Sequence, residues 1–224
     1  MHRHFELELE ALRDDLLYMA SLAEKAIANA IEALKTRDED LARQVLKQDQ
    51  VINEMELKIH DSCIQLFARH QVVAKDLRFI ASAMKINNDL ERIGDHAVNI
   101  AEKALDLLRE PQLKPLIDIP RMADLALGML KDALDAFIHR DTDLALNVCK
   151  RDDEVDSLED QVIRELITYM ASDPHTIKRA LNLIMVAKNL ERVADYSTNI
   201  AEEVVFIVEA KTIKHHMADR QADD

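Results

Sequence analysis

Apolar residues recur every three or four positions along most of the chain, which is the spacing of one face of an α-helix. Only 2 Gly and 4 Pro occur among the 224 residues, so few turns interrupt the pattern. Asp38 is suited to cap one helix start, and Asp173 followed by Pro174 marks another. The predicted helices cover residues 8–34, 39–69, 74–108, 122–138, 142–170 and 174–211.

The chain contains an internal duplication. Residues 88–102, NDLERIGDHAVNIAE, return 100 residues later as KNLERVADYSTNIAE at 188–202. A second segment, RDEDLA at 37–42, returns 103 residues later as RDTDLA. The duplication therefore covers most of each half, and we place the net three-residue adjustment inside the middle helix.

Three of the four prolines, Pro111, Pro115 and Pro120, lie between the two copies. Proline lacks the backbone N–H and has a fixed φ, so this segment breaks the helical pattern. A long helix with few aromatic residues needs tertiary packing to be stable. We therefore expect an all-α protein of two tandem, internally duplicated, antiparallel three-helix bundles, residues 1–112 and 113–224.

Charge narrows the classes of partner. The formal net charge is −14 at pH 7, which disfavours nucleic acid and anionic membranes as direct partners and favours cations or basic protein surfaces. No apolar run approaches the length of a membrane span.

Cys63 and Cys149 are the only cysteines and form no CxxC motif, so we expect reduced thiols in the core of a cytoplasmic protein.

Acidic pairs are the repeated polar feature. Glu91 and Asp95 lie four residues apart, as do Glu191 and Asp195. On a helix each pair shares one face, where like charges repel. Packing alone preserves only apolar residues of the right size, so the return of both acids in each copy calls for a compensating cation or basic partner.

The predicted middle helices carry a second repeated acidic segment, DQVINEME at 49–56 and DDEVDSLE at 152–159. If the middle and third helices are neighbours, each bundle presents one cluster. The first cluster would hold Asp49, Asn53, Glu91 and Asp95, and the second Asp152, Asp156, Glu191 and Asp195. Ligand sets made only of oxygen suit hard cations such as Mg²⁺, Mn²⁺, Ca²⁺ or ferric iron.

The alternative is that these acids only solvate a bundle face or pair with Arg92 and Arg192. Each arginine points about 100° from the neighbouring acid, so an inter-helix ion pair or a phosphate contact is the better expectation for it. His96 becomes Tyr196 in the other copy, and we interpret it as an ordinary surface or interface residue. No Glu-x-x-His motif, glycine-rich phosphate loop or catalytic triad is assembled in the sequence.

Four segments carry a family resemblance: LERIGDHAVNIAE at 90–102, LERVAD at 190–195, AKDLR at 74–78 and FIVEAK at 206–211. With these the chain resembles the PhoU family of phosphate-specific transport accessory and regulatory proteins. The resemblance implies two similar three-helix bundles, each with a Glu/Asp-x-x-x-Asp motif that binds metal ions. It places that motif on Glu91 and Asp95, on Glu191 and Asp195, and on Asp152 and Asp156.

The resemblance also implies a function without catalysis. Similar proteins act with the phosphate ABC transporter and a phosphate-sensing histidine kinase, damp the phosphate-starvation response when phosphate is plentiful, and are commonly homodimers. Two positions depart from the family pattern. Asn53 stands where an Asp is expected, so the first site would be weaker, and Ala210 stands where Gly is frequent.

Three hypotheses follow. The first is a cytoplasmic adaptor that meets the membrane only through its partners, with Mg, Mn or Fe on the repeated carboxylates. The second is a carboxylate-bridged metal-cluster enzyme with redox or phosphoester chemistry. The third is a purely structural helical bundle.

Overall fold

The structure is a computed structural model that describes residues 2–213, with side chains from residue 4 onward. Within that range the chain forms helices and no strand, which confirms the predicted fold class. The helices are α1 His2–Thr36, α2 Glu39–Arg69, α3 Ala74–Leu108, α4 Asp118–His139, α5 Thr142–Lys150, α6 Asp152–Ser172 and α7 Ile177–Glu209, with a 3₁₀ turn at Pro174–Thr176.

The two predicted cap signals are confirmed. The Asp38 side chain accepts a hydrogen bond from the Leu41 N–H at the start of α2. Asp173 accepts from the His175 N–H, with Pro174 at the first position of the 3₁₀ turn. α4 begins four residues earlier than predicted, because Pro120 falls in its first turn, where no intrahelical N–H bond is needed.

The predicted helix over residues 142–170 is wrong in one respect, since it divides at Arg151 into α5 and α6. The Arg151 N–H bonds to the carbonyl of Val148, three residues back, instead of continuing the α-helical ladder. Its guanidinium pairs with Asp132 on α4 and lies over Gly128, where a Cβ would stand 2.9 Å from it. Contacts with α4 thus hold the break in place.

The three-residue adjustment lies in a loop, not inside the middle helix as predicted. Residues 39–69 of α2 match residues 142–172 at a constant 103. Four residues, His70–Val73, then lead to α3, whereas Asp173 alone leads to the 3₁₀ turn of the second half. A surface loop absorbs such a change without altering the register of the helices that it connects.

One hydrophobic cluster runs through both halves. α3 packs against α7 in opposite directions: Lys85 Nζ donates to Glu203 Oε1 at 2.7 Å, and His96 Nδ1 lies 2.7 Å from Asn189 Oδ1. Ser82 Oγ also donates to Glu203, which is only 4% exposed. His96 is thus an interface residue, as predicted, and α3 and α7 place the repeated acids of the two halves on one rigid frame.

Both cysteines are free thiols. Cys63 is fully buried, and Cys149 is partly buried and packs against the core. Burial raises the pKa of Cys63 to about 12 and is the largest cause that raises the pKa of Cys149 to about 11. Neither thiol is therefore a nucleophile near neutral pH, in line with the prediction that both fill the core.

Gly94 sits where α3 meets α2. A Cβ there would stand 3.0 Å from Ile52 Cδ1 and 3.2 Å from Ile52 Cγ2. The corresponding residues of the second half are Ala194 and Val155, both fully buried. The first half thus pairs the smaller Gly94 with the larger Ile52, and the second half pairs the larger Ala194 with the smaller Val155. The total side-chain volume at this close helix contact is therefore similar in the two copies.

Gly94→Ala is expected to destabilise the protein by about 1 kcal/mol, because overpacking outweighs the better helix propensity of alanine. Adding Ile52→Val removes Cδ1 and reproduces the pair found in the second half. The double variant should lose about 1 kcal/mol less than the sum of the two single losses in urea unfolding. Strict additivity would show that the two positions are not coupled.

Among residues 2–213, three residues other than glycine have positive φ, each directly after a helix: Arg37 at 59°, Arg140 at 55° and Ala210 at 57°. Arg37 and Arg140 are duplicate positions. Arg37 Nη2 donates to the carbonyls of Leu107, Leu108 and Glu110 at 3.3, 2.9 and 2.8 Å, so it satisfies the end of α3. Arg140 makes no such side-chain bond within the described residues.

Glycine at these two positions should therefore have opposite effects. Arg140→Gly relieves the left-handed backbone and should stabilise the protein by about 0.5 kcal/mol. Arg37→Gly gains the same relief but loses three hydrogen bonds, so a net loss of about 1 kcal/mol is expected. Melting curves of the two variants check this, and equal shifts would contradict a capping role for Arg37.

Candidate functional site

The first carboxylate cluster forms where α2 lies against α3. Asp49 on α2 faces Glu91 and Asp95 on α3, and Glu56 joins them two turns further along α2. The pKa of Glu91 is raised, first by burial and then by the charge of Asp95, with smaller contributions from Glu56 and Asp49, while Arg92 opposes the shift. The structure thus brings together the acids that the sequence assigned to this half.

Asn53 lies within the same cluster. Its Nδ2 donates to Asp49 Oδ2 at 2.9 Å, and this bond partly offsets the burial and the Asp95 charge that raise the pKa of Asp49. The other oxygen, Asp49 Oδ1, is buried and has no hydrogen-bond partner among the described residues. A buried carboxylate oxygen without a partner is costly, so this position favours a ligand that brings positive charge.

The second cluster forms between α6 and α7. The pKa of Glu191 is raised to about 7 by burial first, then by the charge of Asp195 and those of Glu159 and Asp156, and the nearby Arg192 opposes the shift. The pKa values of Asp156 and Glu159 are also raised, again mainly by burial. An open cavity of about 470 Å³ lies on this side and has only acidic and serine side chains in its wall, including Asp156, Glu159 and Glu191.

Asp152 lies at the edge of this cluster as the first residue of α6. It contributes, together with Glu202, to the raised pKa of Cys149, after the larger effect of burial. The break at Arg151 leaves Asp152 and Asp156 one turn apart on α6, as the sequence predicted. Asp152 and Glu202 thus both lie near Cys149.

The arginines next to the acids pair with them within one helix, as the alternative interpretation of the acids expected. The predicted inter-helix ion pairs are not found among the described residues, and the phosphate contact stays a prediction. Arg192 Nη1 lies 2.8 Å from Asp195 Oδ2, and its Nε lies 3.4 Å from Glu191 Oε2. Arg92 Nε lies 3.7 Å from Glu91 Oε2. The side chains of both arginines are more than half exposed, so these pairs are screened and weak, and they do not neutralise the clusters.

The donor atoms are of the kind that a hard cation prefers, but the distances between the carboxylates are too long to hold one. All predicted ligands are oxygen donors, the clusters have an excess of negative charge, and Asp49 contributes an unsatisfied buried oxygen. Among the described residues, however, no three His, Cys, Asp or Glu side chains converge closely enough to hold a metal ion. A cation would have to draw the carboxylates together through rotamer changes.

Comparison with known proteins identifies the family. The sequence profile described as PhoU domain matches this chain twice, over residues 16–104 and 119–204. The chain belongs to the PhoU family.

Relatives named as PhoU homologues of the phosphate-specific transport system accessory protein are similar over almost the whole chain. The homologue from Pseudomonas putida is 41% identical over 95% of this chain and 84% of its own length. The homologue from Aquifex aeolicus is 43% identical over 93% of this chain and 94% of its own length. The family assignment thus covers both halves.

Solved PhoU structures share the fold. PhoU from Pseudomonas aeruginosa superimposes with a TM-score of 0.90 at 41% identity, covering 92% of this chain and 100% of that one. The phosphate transport system regulatory protein PhoU from Streptococcus pneumoniae gives 0.87 at 32% identity, covering 94% and 99%.

Sequence reasoning missed two acids that face the clusters, and a third, Glu202, that lies near Cys149. Glu56 and Glu159 end the two aligned acidic segments, so their repetition was visible in the sequence. Glu202 follows Asp195 by seven residues, which is two turns and the same helix face, and Glu102 is its counterpart. A search of the repeats for acids on one helical face would have found all of them.

The raised pKa of Glu191 predicts a pH dependence. The folded state holds a proton on Glu191 up to about pH 7, whereas the unfolded chain releases it near 4.5. Folding therefore binds a proton in this window, and stability falls as pH rises from about 4.5 to 7.

Glu191→Gln should remove this part of the pH dependence and raise the melting temperature most at pH 7.5 in metal-free buffer. Melting temperatures at pH 5 and 7.5 give the comparison. The control Glu154→Gln removes one exposed charge on α6 outside the cluster, where it pairs among the described residues only with the exposed Arg121, and should leave the slope unchanged. An unchanged slope in Glu191→Gln would show that the cluster does not hold this proton.

Proposed function

We propose that this protein regulates phosphate uptake and the phosphate-starvation response as a cytoplasmic adaptor to the phosphate ABC transporter and its sensor histidine kinase. As a member of the PhoU family it is a phosphate-transport accessory protein. The partners and a negative direction of regulation when phosphate is plentiful come from the family resemblance. None of the described helices is long and apolar enough to cross a membrane.

The proposal includes metal binding by the repeated carboxylates. Asp49, Glu91 and Asp95 would hold a hard cation in the first half, and Asp152, Asp156, Glu191 and Asp195 in the second. The single observation that supports this most is the set of raised pKa values for acids that face one another across both helix seams. Mg²⁺, Mn²⁺ or iron would supply the positive charge that these clusters lack, so the ion would stabilise the seams and the surface that partners meet.

The first site should be weaker than the second. Asn53 can offer a neutral amide oxygen where the corresponding Asp156 offers a carboxylate. Its amide nitrogen now bonds Asp49, so metal binding would require that amide to turn. Cation affinity rises with the number of charged ligands, so unequal occupancy of the two halves is expected.

A regulatory function is favoured over catalysis. The relatives are named as accessory or regulatory proteins.

The proposed homodimer would need an apolar face, and α7 offers Ile177, Leu181 and Met185, exposed by 42%, 50% and 44% at successive turns. Light scattering of the purified protein measures whether that dimer forms.

Asp95→Ala/Asp195→Ala should lose bound metal and capture of the transporter while the chain still folds. Elemental analysis after dialysis, melting curves and transporter pull-downs measure the three properties. A ligand of the native state must raise the melting temperature, so added Mn²⁺ should raise that of the wild type only.

The matched control is Asp40→Ala/Asp143→Ala, which removes the same charge from two exposed duplicate positions outside the clusters. It should keep metal and partner. Equal metal content and equal transporter capture in both double variants would rule out the proposal, whereas loss of metal with normal capture would rule out only a metal-dependent adaptor.

A further inference from the structure

An apolar cavity of about 510 Å³ opens where the ends of four helices meet, far along the fold from the carboxylates. The rings of Phe79 and Phe137 stack 5.9 Å apart in its wall, beside Ile207. Leu7 and Val208 stand at its edge, 55% and 40% exposed. Concave apolar sites of this volume are typical of ligand and peptide recognition.

The duplication provides a counterpart of this apolar cavity in the first half. Three lining residues, Phe137, Arg140 and Ile207, correspond to Leu34, Arg37 and Leu107. There the linker between the bundles, residues 111–116, runs across the site and leaves a cavity of only about 20 Å³. The corresponding site is therefore filled by the chain's own linker in the first half and is open in the second half.

The filled copy shows how a segment is held. Leu113 and Leu116, three residues apart in a stretch without helix, pack against the core. Arg37 donates to the carbonyl of Glu110 at the start of this segment as well as to the end of α3. Two leucine side chains and the bond from Arg37 thus connect this segment to the first half, while the buried Lys114 pairs with Glu165 and Asp118, and Arg179 donates to the carbonyl of Pro111.

The open copy keeps the corresponding groups. Arg140 has the left-handed backbone of Arg37 but makes no side-chain hydrogen bond within the described residues, so its guanidinium is available. The charged lining is balanced in a chain of net charge −14, with three cations and three acids: Arg13, Lys75 and Arg140 against Glu6, Glu10 and Asp76. A neutral rim around an apolar floor complements a mixed-charge peptide better than a highly charged ion.

We propose that the apolar cavity binds a short non-helical segment of a partner protein, with two leucine-like side chains three residues apart and backbone carbonyls that accept from Arg140. This inference rests on the proposed adaptor function, because it names the face of the protein that a partner segment meets. It does not depend on metal. The first-half linker is the internal example of such a segment.

The probe is a fluorescent peptide with the sequence of residues 110–117, EPQLKPLI, titrated with the full chain and followed by anisotropy. Leu7→Asp should weaken binding about tenfold or more, since it puts a charge at the apolar edge. Arg140→Gly should weaken it by a smaller factor without loss of folding. Leu57→Asp changes an exposed leucine on α2, outside the cavity, and should bind as the wild type does.

A second peptide with serine in place of both leucines should not bind. Binding that the two cavity variants leave unchanged, or no binding to the full chain, would overturn the proposal. Residues 214–224 lie outside the described residues, so a chain ending at Ile213 is tested as well. Binding that appears only in this shortened chain would assign the cavity to the chain's own end and not to a partner.

The Asp95→Ala/Asp195→Ala protein separates this inference from the metal-dependent adaptor. It should bind the peptide with unchanged affinity. Lost transporter capture together with intact peptide binding would leave the cavity assignment standing, whereas intact capture by Leu7→Asp would show that the transporter uses another face and would overturn its role in docking.

Discussion

Carboxylates that face one another across packed helices are the constraint on which the proposed function of this protein depends. The hydrophobic core fixes the distance between α2 and α3 and between α6 and α7, so the backbone positions that carry the acids of each seam stay close. Their mutual repulsion and their burial show in the raised pKa values of Glu91 and Glu191. Burial of like charges lowers the stability of the fold. Such a cost is characteristic of binding sites, because packing alone would favour neutral residues there.

The two halves share one helical arrangement but differ at two sites. Both halves keep the helix register, the cap acids Asp38 and Asp141, and the paired acids of the third helix. They differ where Asn53 replaces a carboxylate and where the linker fills one apolar site and leaves the other open. Contacts between the halves, such as that of Glu203 on α7 with Lys85 on α3, then fix how the halves sit against each other.

Much of this could be predicted from the sequence, because helices are local. Apolar periodicity and the cap residues located every long helix, and the repeat located both acidic clusters. The break at Arg151 could not be predicted, since it depends on Asp132 and on the space over Gly128, which are brought near only by folding. The preference for inter-helix ion pairs failed for a similar reason: spacing gives the direction of Cβ, whereas a long side chain can turn back to an acid on its own helix.

The charge state of the clusters links the fold to the proposed cation. Protonation of Glu191 and binding of a cation are two ways to relieve the same repulsion, so they should compete. An adaptor that uses such a seam would respond to the ion that it holds through the packing of α6 against α7, on the frame shared by both halves.

The most direct test is the release of protons when Mn²⁺ binds at pH 7, measured by titration calorimetry in two buffers of different ionisation enthalpy. Because the pKa of Glu191 is about 7, part of the population must lose a proton to coordinate the ion. The account predicts buffer-dependent heat for the wild type and much less dependence for Glu191→Gln. Binding without proton release, or no binding at all, would contradict it.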